Sequence, residues 1–547
     1  MGLDPRLAPE RRTTPHVLGV ALALAALLLR LWHLGAQPLW FDEAMTVHIA
    51  LQPNGLEFVH NTPPLYYLAL RAWTAVFGAD AAGLRSLSAV AGAGFVWVCW
   101  HATREALGTR VGLAAAAFVA LSPLHVYYSQ EARAYSLLLL ELAIALWMLR
   151  RLAANARPSH AIAFVATSTA ALYTHYLAAI PLAVACVAHA AAAGQVERRR
   201  GAAAIAATSA VIALLVVPWV WWWSRRTPFE ASDMQWLTTV WSELPGASAF
   251  TTSTELLLLG GQDTSLIFLK QFSTMSFPFA ARVGGLAAAA LLALLLLARL
   301  RDATPPARRT AARAFAMFAA PLAVLWLLSF AHAMYCPGRY DLVGFPGLTA
   351  LVGIAIGGIP DARTRWQRWS AGAAAVVFAA VLVAKDWCYF AAPADADPPR
   401  AVAALLANKV QPGETAVLCG ETGAPVLAHL LLDGFVWIDH RCRSTHGDAA
   451  FECRLLPTSL EVAPGSVSRY WRTLEDGSLP AELAHLLAGD PAPGIWIVLG
   501  SQLYANDEDE PNRAIRHRMF QILADAGYTT VDSELSLGVV HLRRAPR

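Results

Sequence analysis

Charge is scarce in this chain. Of its 547 residues only 15% are Asp, Glu, Lys or Arg and 56% are hydrophobic, whereas a soluble globular protein carries roughly 25% charge. That shortage excludes a water-soluble body for most of the length, because apolar stretches of about twenty residues recur from near the start to about residue 388. Each is long enough to cross a hydrocarbon core of roughly 30 Å. A Gly-rich nucleotide loop, a His-Glu-x-x-His pair and a Ser nucleophile elbow are all missing, which excludes ATP-driven, metalloprotease and serine-hydrolase chemistry. The net charge of +3 comes mostly from short Arg-rich loops, so it reports topology and gives no support to nucleic-acid binding.

The trial spans lie at about 16–35, 83–103, 111–128, 134–152, 160–176, 177–193, 202–222, 283–299, 314–331, 341–359 and 370–388, about eleven transmembrane helices. With the N-terminal tail (Arg6, Arg11, Arg12) cytoplasmic, the loops on that side hold Arg104 and Arg110; Arg150, Arg151 and Arg157; Arg198 to Arg200; Arg308, Arg309 and Arg313; and Arg363, Arg365 and Arg368. Every one is basic, as the positive-inside rule requires. The segment 64–77 is short and mixes Tyr, Trp and Arg, so it reads as an interfacial helix on the outer surface. No small-residue cleavage site follows the first span, so it is not read as a removed signal.

From about Ala391 the chain becomes polar and Pro-rich, and its apolar runs shorten to strand length, as in Gly494-Ile-Trp-Ile-Val-Leu-Gly500. The expected organisation is therefore a membrane body over 1–390, with outer-surface helices in 36–82, and a soluble α/β domain over 391–547 with helices near 399–407 and 511–526. An odd number of spans puts that domain outside. Cys336, Cys388, Cys419, Cys442 and Cys453 also fall on the outer side; disulfides, with Cys442 and Cys453 the closest pair, and free buried thiols are equally compatible with the sequence.

Ionisable residues at a membrane are costly, and here they gather on the outer side. The first outer loop opens with Pro38-Leu-Trp-Phe-Asp-Glu-Ala-Met-Thr-Val-His48. Asp42, with Glu43, suits a general base toward an acceptor hydroxyl, or else Asp42 caps a helix beginning near Ala44. Asn61-Thr-Pro-Pro-Leu-Tyr-Tyr67 fixes an extended entry into the interfacial helix and offers Tyr66. Tyr127-Tyr-Ser-Gln-Glu-Ala-Arg-Ala-Tyr135 is a very short outer turn that crowds Tyr128, Gln130, Glu131, Arg133 and Tyr135; its bland reading is an Arg133 to Glu131 surface pair. Tyr173-Thr-His-Tyr176 contributes His175 and Tyr176 at another tight turn, and Tyr335-Cys-Pro-Gly-Arg-Tyr340 contributes Arg339 and Tyr340. A guanidinium at the interface can hold a lipid phosphate bidentately, which suits Arg339; Arg85 suits either that role or snorkelling toward headgroups.

The order of these motifs, Phe41-Asp-Glu43, Thr62-Pro-Pro-Leu-Tyr-Tyr67, Tyr128 to Tyr135, Leu172 to Tyr176 and Arg339-Tyr340, resembles the GT-C superfamily over roughly residues 15 to 390. Within it the chain is similar to the bacterial branch of glycosyltransferase family 39, related to protein mannosyltransferases and the lipid A aminoarabinose transferase. The resemblance implies an α-helical polytopic body and a hexosyl- or pentosyltransferase. Its donor would be a polyprenyl-phosphate sugar, its acceptor a lipid, glycan or protein, and its place the periplasmic face of an inner membrane. It maps the acidic motif onto Asp42 and Glu43, with Asp42 the base. One departure stands out: the aminoarabinose and related enzymes tend to carry a Lys before the Pro-Pro pair, and here Thr62 occupies it, so Arg133 or Arg85 would have to compensate. A single displacement predicts inversion, by analogy with inverting glycosidases. No cofactor is required; a divalent metal bridging Asp42 and the phosphate is compatible with the sequence but not demanded by it. Two rival readings are a secondary transporter, against which stands the lack of internal repeats, and a non-catalytic scaffold with a periplasmic binding domain.

Overall fold

The computed structural model describes residues 13–52, 62–190, 196–226, 235–243, 246, 248–260, 279–301, 303–362, 364–391, 398–418, 423–438, 441–445, 450–455, 487, 492–499 and 510–544. Arg6, Arg11, Arg12, Asn61, Arg363 and Cys419 lie outside these described residues. Up to residue 391 the chain is helical: α1 (Thr13–Leu31), α2 (Phe41–Leu51), α3 (Leu65–Phe77), α4 (Ala81–Leu107), α5 (Thr109–Ala120), α6 (Pro123–Ser129), α7 (Tyr135–Asn155), α8 (Pro158–Thr174), α9 (Ala179–Ala190), α10 (Val196–Arg226), α11 (Gln235–Glu243), α12 (Ser248–Leu259), α13 (Phe279–Arg301), α14 (Pro305–Leu328), α15 (Phe345–Gly357) and α16 (Arg365–Ala391). Leu28, Leu214 and Leu294 open outward from α1, α10 and α13, the pattern of helices whose outer solvent is lipid.

Six helices among the described residues are long and apolar enough to cross a membrane: α4, α10, α13, α14, α15 with the 3-10 turn before it, and α16. The bent pair α5 and α6 makes a seventh if counted as one span. The remaining expected crossings are helical but fall short of that criterion for visible reasons. Helices α8 and α9 run only 17 and 12 residues, the apolar part of α1 covers His16–Leu31, and α7 carries Glu141, Arg150 and Arg151.

The tail folds as α17 (Pro398–Lys409), α18 (Gly423–Leu432) and α19 (Glu510–Asp525) with β1 (Thr415–Leu418), β2 (Phe435–Ile438), β3 (Arg441–Ser444), β4 (Ala450–Leu455), β5 (Gly494–Val498), β6 (Tyr528–Glu534) and β7 (Val539–Arg544). The strands form one sheet in the order β2-β3-β4-β1-β5-β7-β6. β1 pairs in parallel with β4 and β5, Thr415 lying opposite both Glu452 and Ile495, and the outer pairs are antiparallel. A parallel centre needs cover on both faces, and here α19 supplies one side and α17 with α18 the other. Cys442 and Cys453 are buried thiols on the neighbouring strands β3 and β4, within hydrogen-bond reach of each other.

Two features of the body place the functional end. Helices α5 and α6 meet at a 61° bend, which frees the last carbonyls of α5 from helical hydrogen bonds. Arg30, fully buried at the end of α1, takes up that work: Nη2 donates to the Val119 carbonyl at 3.0 Å, Nη1 to Ala120 at 3.3 Å, and Nε to Ser129 Oγ at 3.1 Å. The contact depends on Gly92, where a Cβ would stand 2.1 Å from Ser129 Oγ. The second feature is an apolar cluster that unites α2, α3 and the start of α4 with α17, α18 and the sheet, so the tail and the segment between α1 and α4 share one core.

Candidate active site

Helix α2 begins at Phe41, three residues before the expected start, and its N-cap position is Trp40. Asp42 therefore sits inside the first turn, and the N-cap reading of this residue is corrected. Consecutive residues on an α-helix point about 100° apart, so Asp42 and Glu43 face different surroundings.

Glu43 is fully buried. Its Oε1 accepts from Arg85 Nε at 2.8 Å and from the Ala132 N–H at 2.8 Å, and its Oε2 accepts from Arg85 Nη2 at 2.6 Å. Arg85 then donates to the carbonyls of Leu34 (3.1 Å), Gln37 (2.9 Å) and Pro38 (3.0 Å). All five guanidinium N–H groups are thus used. Arg85 neither snorkels nor offers a donor to a phosphate; it ties the start of α4 to the loop before α2.

Asp42 faces a different set. Its Oδ2 accepts from Arg339 Nη2 at 2.5 Å and lies 3.3 Å from Arg133 Nη2. Arg133 Nη1 donates to the Asp42 carbonyl at 3.1 Å and to Thr46 Oγ1 at 3.3 Å. Arg133 thus reaches Asp42, away from the surface pair with Glu131 that its spacing suggested. Its buried Nε has no hydrogen-bond partner among the described residues. Side-chain exposures of 18%, 15% and 10% for Asp42, Arg133 and Arg339 leave this group within reach of a ligand, against 0% and 4% for Glu43 and Arg85. Burial raises the affinity of Asp42 for a proton, but Arg133 and Arg339 outweigh it and hold the carboxyl below the usual carboxylate range.

Aromatic side chains fix the arginines. Arg339 Nε donates to Tyr135 Oη at 2.5 Å, and the Tyr135 ring lies 4.7 Å from that of Tyr128. Tyr128 donates from its hydroxyl to the Gly338 carbonyl at 2.6 Å. Gly338 has φ +75°, a left-handed conformation that glycine adopts without penalty, and its N–H donates to Asp341 Oδ2 at 2.9 Å. That turn aims Arg339 at Asp42. His175 has its ring 5.8 Å from both Tyr135 and Tyr340, and its Nδ1 accepts from the Leu177 N–H at 3.2 Å. The neutral ring consequently carries its proton on Nε2.

Other expected residues lie elsewhere. Tyr66 is hydrogen-bonded to Ser88 Oγ at 3.3 Å, whereas Tyr67 is the tyrosine near Asp42, Arg133 and Tyr135, within hydrogen-bond reach of Thr62. Gln130 donates to the carbonyls of Arg30 (3.0 Å) and Trp32 (2.7 Å). Tyr176 accepts from Trp219 Nε1 of α10 at 3.1 Å. Glu131 is buried beside a small cavity lined by His33, Trp40, Glu43, Arg85 and Tyr389. Burial, reinforced by the Glu43 carboxylate, pushes its carboxyl up to about 8. Sequence reasoning missed Tyr67 and Arg30. The latter carried a signal, since a charged side chain inside an apolar span points inward. Among the described residues no three His, Cys, Asp or Glu side chains converge as a metal would need.

Residues 61–222 match the dolichyl-phosphate-mannose-protein mannosyltransferase family. No curated protein sequence matches the chain. Among solved structures, the chain is similar to ArnT from Cupriavidus metallidurans in the apo state, with a TM-score of 0.57 and 13% identity over 97% of this chain and 99% of that one. The same ArnT bound to undecaprenyl phosphate gives a TM-score of 0.55 at 14% identity over the same shares. The archaeal oligosaccharyltransferase AglB from Archaeoglobus fulgidus, in complex with an inhibitory peptide and a dolichol-phosphate, gives 0.53 at 11% identity, covering 98% of this chain and 75% of AglB. The chain thus has the fold of ArnT over nearly the whole of both chains, and within it residues 61–222 carry the match to the mannosyltransferase family.

Proposed function

We propose that the chain transfers a sugar from a polyprenyl-phosphate donor to a lipid, glycan or protein hydroxyl at the outer face of a bacterial-type inner membrane. One observation carries this reading: the partly exposed Asp42 carboxylate lies between the guanidinium groups of Arg133 and Arg339, one negative charge facing two positive. Such a set suits a base beside a phosphate site. Undecaprenyl phosphate in ArnT and dolichol-phosphate in AglB support the class of donor.

In the proposed step Asp42 takes the proton of the acceptor hydroxyl while that oxygen bonds to the anomeric carbon. The bond from this carbon to the phosphate oxygen breaks, the lipid phosphate leaves with the electron pair, and the sugar inverts. Arg133 and Arg339 stabilise the charge that develops on the phosphate, so no acid is needed to help it leave. In the absence of a Lys at position 62, these two arginines fill the phosphate-binding role. Tyr67, Tyr135, His175 and Tyr340 line the place of the sugar, and the neutral His175 offers an Nε2–H. Tyr128 is a support for the Gly338 turn. Glu43 and Arg85 are struts, as are Tyr66, Gln130 and Tyr176.

The finer topology belongs to the same reading. It has eleven crossings, a cytoplasmic N-terminus and a periplasmic tail domain, and it rests on the basic short loops at the end opposite Asp42. The test is transfer of labelled sugar from a panel of polyprenyl-phosphate sugars by wild type and Asp42→Asn at matched levels. Transfer by wild type that drops about 10²–10⁴-fold in the variant supports both the class and the base. Equal transfer removes Asp42 from the mechanism, and a wild type inert toward every donor returns the scaffold reading.

A further inference from the structure

Helix α2 has only 11 residues, and isolated helices shorter than about 12–15 residues are marginal, so its order depends on what packs around it. Its first turn is held by the Glu43–Arg85 clamp. Its last turn is held by Arg71 of α3, which donates to the carbonyls of Ala50 and Gln52. Between these pins the apolar side chains Ala44, Val47 and Ala50 are buried, and the element packed on them is α18 of the tail domain. Every residue of α18 from Gly423 to Leu431 is buried, since this helix lies between the tail's own strands and helix α17 on one side and α2 on the other.

We infer that the tail domain is a positioning element of the active site: α18 forms the outer wall of α2, and its Leu427 and Leu430 hold Asp42 in register with Arg133 and Arg339. The inference rests on Asp42 being the base. Loosening α2 carries Asp42 away from the two cations, which raises the pH at which the carboxylate protonates and slows the chemical step, while the arginines remain to bind donor.

The test uses the purified full-length chain with Leu427→Ala, and Leu430→Ala as a second variant. The control is Leu523→Ala, which opens the fully buried cluster on the opposite side of the tail sheet, away from α2. Hydrogen exchange of the 41–51 segment is followed together with the pH profile of transfer. Exchange in α2 is expected to rise at least about tenfold in an α18 variant and to stay at the wild-type level in the control. The acid limb of transfer moves to higher pH, kcat falls with little change in the KM for donor, and Leu427→Met or Leu430→Met restores both. Unchanged α2 exchange in both α18 variants, or an equal rise in the control, overturns the inference. Because exchange needs no turnover, this result stands apart from any failure of the transfer reading.

Discussion

Two faces of the first turn of α2 carry adjacent carboxylates that share a backbone and little else. On the inner face Glu43 meets one guanidinium whose five N–H groups are all committed, and the pair is neutral and dry. On the outer face Asp42 meets two guanidinium groups, so the trio carries a surplus positive charge and keeps some access to solvent. A saturated ion pair can fix geometry but has nothing left to offer a ligand. An under-compensated one attracts an anion and leaves the acid ionised. What distinguishes the strut from the proposed reactive group here is the stoichiometry of donors around each acid, which neither residue type nor spacing along the chain reveals.

The sharpest way to break the comparison is to neutralise each acid in turn. Asp42→Asn should remove transfer with the fold retained, since its carboxylate is partly exposed, Arg339 keeps Tyr135, and Arg133 keeps Thr46 and the backbone carbonyl at position 42. Glu43→Gln should act on the fold, because Arg85 is left buried without its counter-charge, a loss of about 3–5 kcal/mol for a broken buried pair. Thermal unfolding in detergent beside transfer per folded molecule separates the two. Equal loss of transfer with equal stability would mean that the two faces do not differ in role.

The next effect concerns the surplus cation. Arg339→Gln should lower kcat by about 10²–10³-fold, the scale of one lost electrostatic donor. It should also move the acid limb of the rate upward. In wild type the two guanidinium groups hold Asp42 below the ordinary carboxylate range, so the proposed base stays ionised well into acid pH. With one cation removed, less opposes the effect of burial, so the carboxyl takes up its proton at a higher pH and transfer is lost there. A profile that keeps its acid limb in place would assign Arg339 to binding alone.

Much of this arrangement was legible in the sequence, and its limits are instructive. The turns that bring Arg133, His175 and Arg339 together follow from where apolar runs end, because hydrophobic length fixes where a helix must emerge. Two of the tail's helices, α17 and α19, and the buried strand at Gly494–Val498 follow from the change in composition after residue 391, whereas α18 was not anticipated. Side-chain direction did not follow. Tyr66 and Tyr67 are adjacent and chemically alike, and only the packing of α3 against α4 shows that Tyr66 turns to Ser88. Arg85 has the same signature as a phosphate ligand until the carbonyls of Leu34, Gln37 and Pro38 are seen around it. The docking of α18 on α2 joins residues nearly four hundred positions apart and leaves no local pattern to read.

The smallest expected effect lies behind the inner face, at Glu131, and it sharpens the contrast by adding a third kind of carboxyl. Its folded carboxyl titrates at about 8, against 4.5 for an unperturbed glutamate, because it is buried and feels Glu43. Between those two values the folded chain binds a proton that the unfolded chain has released, so stability must fall as pH rises through that window and level off above it. Glu131→Gln has no proton to lose at this position, and every other group titrates as before. The melting temperatures of variant and wild type should therefore run together near pH 5 and separate toward pH 9, the variant remaining higher. Parallel curves would mean that Glu131 is ionised like an ordinary surface acid, and the cavity beside Arg85 would then have to hold a second compensated charge.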